Sequence, residues 1–586
     1  MNKYLVLPLL LTLCVSLTRG SQPFVMVNGT GVYGVNTQVK NSVVSQYLGI
    51  RFGQSPTGSL RFQKPQAATL PAVVNATHLG NPCWGVFNNS LPMSEDCLFL
   101  NVYVPNRNRE SSAVPVMVWF HGGAFIFGSG TDYDGSLLAA EGGVIVVVPN
   151  YRLGPFGFLS TGDNSCTGNY GLWDQWLALK WVKDNIRAFG GDDTNITIIG
   201  ESAGAASANF HMTSPYSAHL FHRAILQSGC RQCVWAYNAT SHPLTHANRL
   251  AAALQCPAAS HDDPESSARQ MTCVRGRRAD VIHVAGLGIT GWSPVTDGDF
   301  VLRYKDTTTF TGPVMIGLNN YEGGLLVSMS RRLLGPDMNT RSFYRNQVLK
   351  KTLGDAFLDL TTSADPRDVD TALDVLDCVY RVENSTDVIV PDEELAALVG
   401  DATIVVCSLQ LLDAGPTTSS AYLYYFDHYP DTPGGQNGMD HGWDIDYTFG
   451  FRRGLRAFVS PFSKVNVSQD DLELAGWFRS LLTNFAKTGN PNRDANWPFW
   501  PPYSKGDQSY LSFSRNSRVA SHLKKDVMTV WTETIPAILR SQGGLGLQDT
   551  RFRHCADGLR GTAYSNTVGH TSYLLFCLIF IFAFSV

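Results

Sequence analysis

Apolar residues along the 586-residue chain fall into two patterns, short dense runs and longer stretches with helical spacing. The dense runs are Val116-Met117-Val118-Trp119-Phe120, Val144-Ile145-Val146-Val147-Val148, Ile196-Thr197-Ile198-Ile199, Val314-Met315-Ile316 and Tyr422-Leu423-Tyr424-Tyr425-Phe426. Those at 144–148 and 422–426 lack polar alternation, as strands covered on both faces do. Between the runs lie helical stretches. One is predicted from Leu172 to Ala188, with Trp176, Leu179, Val182 and Ile186 on one stripe and Gly190 as its stop. Another begins near Ser468, with Asp471 three residues on, and ends before Gly489 and Pro491. No Pro/Ser linker, charge block, internal repeat or low-complexity tract divides the chain, so the pattern predicts one large α/β domain with insertions.

Chemistry enters where a strand turns into a helix. Gly200-Glu201-Ser202-Ala203-Gly204 follows the run at 196–199 and precedes the small residues Ala205-Ala206-Ser207-Ala208. A serine on such a turn sits on a strained backbone with its hydroxyl in the open, and the flanking glycines remove side chains that would clash. Three fixed positions in a chain with 54 glycines can arise by chance, so context decides. Upstream, His121-Gly122-Gly123-Ala124-Phe125 closes the run at 116–120. The backbone N–H groups of Gly123, Ala124 and Ala203 are the candidate donors to an oxyanion, where one donor is typically worth about 2.7–4 kcal/mol.

A serine nucleophile needs a base, and the base an acid that fixes its tautomer. On a strand–serine–helix turn of this kind the expected chain order is serine, acid, histidine. Glu322, in Leu318-Asn319-Asn320-Tyr321-Glu322-Gly323-Gly324, lies on a loop directly after a predicted strand. His441 lies on the glycine-bounded loop Gly438-Met439-Asp440-His441-Gly442-Trp443-Asp444. With 14 histidines and 49 acidic residues, position alone would leave other choices open.

Further stretches narrow them. Tyr47-Leu48-Gly49-Ile50-Arg51-Phe52, Glu95-Asp96-Cys97-Leu98-Phe99-Leu100-Asn101-Val102, Asn150-Tyr151-Arg152 and Gly168-Asn169-Tyr170-Gly171-Leu172 precede the serine motif. Gln227-Ser228-Gly229, Asp297-Gly298-Asp299-Phe300 and Asn484-Phe485-Ala486-Lys487-Thr488-Gly489 follow it. In these motifs and their order, from about residue 24 to about 535, the chain resembles the type-B carboxylesterase and lipase family, which includes carboxylesterases, bile-salt-activated lipase and cholinesterases. The resemblance implies an α/β-hydrolase fold, with Ser202 as nucleophile, Glu322 as acid and His441 as base. Glu201, Ser228 and Asp444 would be buried polar supports, although cholinesterases carry Glu where Asp444 stands. It also implies disulfides Cys83–Cys97 and Cys256–Cys273, and no metal or organic cofactor. Pairing among Cys166, Cys230, Cys233, Cys378, Cys407 and Cys555 stays open, as does a homodimer linked through Cys555. Cys230 and Cys233 form a C-x-x-C with no second pair or histidine cluster for zinc, and a structural disulfide role is expected.

The net charge of −4 and pI near 6.4 exclude a nucleic-acid partner, because Arg275-Gly276-Arg277-Arg278 is too short a basic run. Residues 1–20 read as a signal peptide, with an apolar stretch from Tyr4 to Val15 and Thr18 and Gly20 before the cut. The hydrolase domain is expected over 21–545, a spacer over 546–572 and an apolar tail over 573–586. Gly561-Thr562-Ala563, the polar spacer and the uncharged tail match a GPI-attachment signal, with Gly561 as the attachment site and Ser565 as fallback. Sequons at Asn28, Asn75, Asn88, Asn195, Asn238, Asn384 and Asn466 fit a secretory route.

Substrate choice rests on departures from the cholinesterase pattern. Choline recognition uses aromatic faces around the cation. The loop between Cys83 and Cys97 is short, Trp84 directly follows the first cysteine, and Leu325 stands where acetylcholinesterases tend to have an aromatic residue. Trp235 and Trp443 are the remaining candidate walls. In Gly286-Leu287-Gly288-Ile289-Thr290-Gly291-Trp292, Gly288 and Thr290 fall near positions that are bulky in acetylcholinesterases. A broad esterase taking small-molecule or lipid esters, with butyrate preferred over acetate, is therefore expected. The alternatives are a true cholinesterase and, in another class, a neuroligin-like adhesion protein. The segment 129–135 is shorter than the equivalent loop of bile-salt-activated lipase, which argues against bile-salt control.

Overall fold

The computed structural model describes residues 22–541, apart from 87–90, 107–112, 238–242, 264, 290, 304–309, 329–348, 351–352, 355–356, 381–391, 416–419, 432–436, 452–466 and 493–497. The signal peptide, the spacer, the tail with Gly561, Cys555, Thr290 and the sequons at Asn88, Asn238, Asn384 and Asn466 lie outside the described residues.

The strands in chain order are β1 (Phe24–Val27), β2 (Thr30–Tyr33), β3 (Val35–Val39), β4 (Ser42–Arg51), β5 (Val73–Asn75), β6 (Phe99–Pro105) and β7 (Val114–Phe120). They continue with β8 (Ile145–Pro149), β9 (Gly191–Glu201), β10 (Arg223–Gln227), β11 (Val314–Asn319), β12 (Ala421–Phe426), β13 (Ser509–Phe513) and β14 (Arg518–Ser521). β1, β2 and β5 form a small sheet. The other eleven form one large sheet in the order β14-β13-β12-β11-β10-β9-β7-β8-β6-β4-β3. From β13 to β8 every neighbouring pair is parallel, and the antiparallel pairs lie at the two edges. This is the mostly parallel, helix-flanked sheet of an α/β-hydrolase.

The dense apolar runs have the physical cause predicted for them. Val116, Val118, Ile196, Ile198, Ala224 and Leu226 enter a core with the helices Tyr170–Asn185 and Ala203–Thr213. Met117, Trp119, Ile199, Ile225, Met315 and Tyr424 enter a second core with the helix Gln469–Thr488. Each face of the sheet is thus covered, and neither can be polar.

The long helix near the C-terminal end starts as predicted. Ser468 caps it by accepting from the Asp471 N–H at 3.1 Å, and Gly489 closes it at φ 76°. The predicted helix 172–188 instead begins at Tyr170 and ends at Asn185, followed by a 3₁₀ turn over Ile186–Phe189. Its single stripe is also corrected. Leu172, Trp173, Leu177 and Trp181 are buried besides Leu179 and Val182, while Trp176 is half-buried and donates to the Tyr216 carbonyl at 3.0 Å.

Disulfides join Cys83 to Cys97, Cys256 to Cys273 and Cys233 to Cys407, and Cys378 is disulfide-bonded as well. Cys233 takes a structural disulfide role with Cys407, 174 residues away, and not with its C-x-x-C neighbour. Cys166 and Cys230 are buried free thiols. Among the described sequons, Asn28 and Asn75 are exposed. Asn195 is half-buried, donates to the Lys487 carbonyl at 3.1 Å and accepts from Arg223, contacts a glycan would have to break.

Candidate active site

The register of the parallel strands brings their carboxyl ends level. Phe120 pairs with Gly200, Glu201 with Gln227, Gln227 with Gly317 and Asn319 with Phe426. The loops that follow β7, β9, β10, β11 and β12 therefore meet at one edge, and Ser202, Glu322 and His441 lie on them.

Ser202 links β9 to the helix Ala203–Thr213 with φ 55° and ψ −121°, a conformation an L-residue holds only under constraint. Its N–H donates to the Gln227 carbonyl at 2.8 Å, and its carbonyl accepts from Ala206 at 2.9 Å. The flanking glycines are required by close approach. A Cβ on Gly204 would lie 2.0 Å from the Phe120 carbonyl oxygen, and one on Gly200 2.3 Å from the Gly204 backbone.

Opposite, Gly123, Ala124 and Phe125 all have positive φ, at 109°, 50° and 62°. The loop is pinned by the Gly123 carbonyl, which accepts from Ile126 and Phe127. A Cβ on Gly122 would lie 3.3 Å from the Ser202 Cβ, so this loop packs against the serine turn. Among the described residues, the N–H groups of Gly123 and Ala124 make no backbone hydrogen bond, and Ala203 opens its helix, where N–H groups have no partner in the helix itself. His121 props the loop from behind, its ring stacked on Tyr151 with centroids 4.2 Å apart. Burial holds that imidazole down at about 4, so it is neutral.

Glu322 and His441, 119 residues apart, meet directly. Glu322 Oε2 lies 2.8 Å from His441 Nδ1. Glu322 Oε1 accepts from the Asn319 N–H at 2.7 Å and from the Ser228 hydroxyl at 2.6 Å. On the other ring nitrogen, His441 Nε2 is 3.3 Å from Oε1 of Glu201, the residue before Ser202. Burial pulls the imidazole down, but Glu201, Glu322 and Asp440 together outweigh it and raise His441 to about 9.

The supporting residues separate by what they touch. Ser228 contacts Glu322 and Glu201 contacts His441, whereas Asp444 accepts from Gln227 at 2.8 Å and from Tyr424 at 3.4 Å. Gln227 in turn ends the strand whose carbonyl holds the Ser202 N–H. Burial pushes the Asp444 carboxyl up to about 7. Asp440 was not singled out in the sequence, yet its carboxylate accepts from two backbone groups of the acid and base loops. The one available signal was its place directly before the candidate base.

The candidate pocket residues are more dispersed. Trp84 packs against His283 in a tilted pair, with centroids 5.0 Å apart, at a hollow lined also by Ile126, Pro155, Leu287, Ile289 and Trp292; Ser202 and His441 do not line it. Trp292 is buried and donates to the Gly286 carbonyl at 3.1 Å. Trp235 donates to the Thr403 carbonyl at 3.0 Å, Trp443 is buried before the short helix Asp444–Phe449, and Leu325 is half-buried beside Asp440. Gly288 ends the helix Ala279–Leu287, and a Cβ there would meet nothing closer than 3.9 Å. Cys230, Cys233 and Cys407 bring their sulfurs together, with two of them engaged in the disulfide.

The model of the carboxylesterase family matches residues 21–531. Carboxylesterase 4A of Bos taurus is 33% identical over 574 residues, covering 91% of this chain and 99% of its own. Acetylcholinesterase 1 of Caenorhabditis elegans is 32% identical over 558 residues, 86% of each chain, and that of Caenorhabditis briggsae is 31% identical over the same length. With the match running through every strand of the large sheet up to β14 and through all the loops at its edge, the chain belongs to the carboxylesterase family and is a carboxylic-ester hydrolase.

Proposed function

We propose that this ester hydrolase works through a Ser202–His441–Glu322 triad and an acyl-enzyme. The observation that carries the reading is the 2.8 Å contact between Glu322 and His441 Nδ1, which leaves Nε2 turned to the serine turn. Nε2 takes the proton of the Ser202 hydroxyl as its oxygen attacks the ester carbonyl. Glu322 holds the ring tautomer and faces the imidazolium. The N–H groups of Gly123, Ala124 and Ala203 receive the oxyanion. The imidazolium then gives its proton to the departing alcohol, and water releases the acid in a second pass through the same steps.

The substrate class is a neutral ester with an acyl group larger than acetyl. Open space beside Gly288 supports the wider acyl site. The position of Trp84 on His283, away from Ser202 and His441, supports a site without a choline cage. The signal-like segment over 1–20 and the apolar tail over 573–586, beside a domain over 21–545, support a reading in which the enzyme lies outside the cell on a lipid anchor at Gly561.

The test compares butyrylthiocholine with an uncharged butyrate ester of similar size, and each with its acetate analogue, with Ser202→Ala as control. Preference for the neutral butyrate is expected. Preference for the choline ester would establish the cholinesterase alternative, and equal or faster acetate turnover would overturn the wide acyl site. No Ser202-dependent turnover would favour the adhesion protein.

A further inference from the structure

Asp440 is nine-tenths buried and sits where the acid loop meets the base loop. Its Oδ1 accepts from the N–H of Leu325, three residues after Glu322, and from the N–H of His441, both at 2.7 Å. Its own carbonyl accepts from Asn319 Nδ2 at 3.0 Å. The neighbouring pairs continue the stitching, with the Tyr321 N–H on the Met439 carbonyl at 3.0 Å and the Met439 N–H on Asn320 Oδ1 at 2.6 Å. One carboxylate oxygen therefore ties the His441 backbone to the acid loop at Leu325, three residues after Glu322, beside the 2.8 Å Glu322–His441 contact.

The groups facing Asp440 are His441 on its own loop and Tyr321 and Glu322 on the acid loop. Beyond His441 stands Glu201 of β9. Beyond Tyr321 stand Asp392 and Glu393 of the helix Asp392–Gly400. His441 is the cation in this set when it carries the transferred proton. A negative charge directly before it in the chain favours that state, and burial strengthens the effect.

We propose that Asp440 is a positioning residue for the proton transfer: its carboxylate clamps the base to the acid loop and adds to the charge that holds the imidazolium. The proposal rests on the triad reading above. Burial raises the Asp440 carboxyl to about 7 against the pull of the two N–H donors and the imidazolium, and His441 stands at about 9, so Asp440 is charged where the base titrates.

The experiment uses the full chain, native and as Asp440→Asn and Asp440→Ala. Asn retains an acceptor for the two N–H groups and removes the charge; Ala removes both. With a neutral butyrate ester, Asp440→Asn should move the acid limb of kcat/KM to lower pH by about one unit, with KM unchanged. Asp440→Ala should lower kcat by about 10²-fold, the scale of a small misplacement of reacting groups. A merely structural role would destabilise the fold without moving the limb. The His441 Nδ1 proton, followed by NMR in native protein and Asp440→Asn, gives the same shift without turnover. An unmoved limb and an unmoved His441 titration would overturn the proposal. If the native chain shows no Ser202-dependent hydrolysis, the triad reading fails, and the His441 titration still decides the role of Asp440.

Discussion

The Ser228 hydroxyl donates to Glu322 Oε1 at 2.6 Å, from the end of one parallel strand to the loop after the next. The acid is thus aimed from both sides, by Ser228 on Oε1 and His441 on Oε2. Ser228→Ala leaves only the Asn319 N–H on Oε1, and a hydrogen bond to a charged group is worth about 1.5–3 kcal/mol. We expect kcat to fall about 10- to 10²-fold with KM nearly unchanged. Steady-state kinetics on a neutral ester decides this, and native-like kcat would show that Ser228 does not orient Glu322.

Activity should rise with pH through the His441 titration, because the base must be neutral to take the serine proton. Glu201, Glu322 and Asp440 raise that titration above the ordinary 6.5, so the acid limb lies on the alkaline side of it. Glu201→Gln removes one of the three charges and should move the limb to lower pH. A native midpoint below 6.5 would contradict this account.

Gly123 stands at φ 109°, and a Cβ there would lie 2.2 Å from the Phe127 carbonyl oxygen. Gly123→Ala must therefore displace the loop that carries two of the three proposed oxyanion donors. We expect a loss of about 10²–10³ in kcat, the size seen when one such donor is removed. The melting temperature, measured by calorimetry, should fall by only a few degrees, since strain at one such position is about 1–3 kcal/mol. Unfolding of the variant would place the glycine in the core of the fold instead.

Burial pushes the Cys166 and Cys230 thiols up to about 12, so neither is a thiolate near neutral pH. In alkylation followed by peptide mapping, both should carry label only after the protein is denatured. Label on Cys230 in the native protein would mean that the segment after β10 opens.

What could be read in advance was whatever depends on residues near one another in the chain. The serine turn was legible because β-branched residues, two glycines and small residues follow in order, and each has a contact that explains it. The helix at 170–185 was misplaced at its start because Asn169 bends the chain into it at φ 57°. That asparagine is held there by the Val295 N–H and carbonyl, 126 residues away. The stripe misled because Trp176 lies on the narrow face that carries Lys180, Lys183 and Asp184 and is open to solvent, while the helix has neighbours on its other sides. Asp440 escaped notice because its two partners are backbone N–H groups, which carry no sequence signature. The direction of Trp84 likewise depends on His283 of a distant helix.

The Cys233–Cys407 disulfide closes a covalent ring of chain that contains Glu322 but neither Ser202 nor His441. The proposed acid is delivered on a tethered loop of sequence to the proposed nucleophile and base, which lie outside it. A protease that cuts once anywhere between the two cysteines leaves fragments that remain joined. Such a nicked enzyme would run as one band on a non-reducing gel and as two after reduction, with its acid still held near its base.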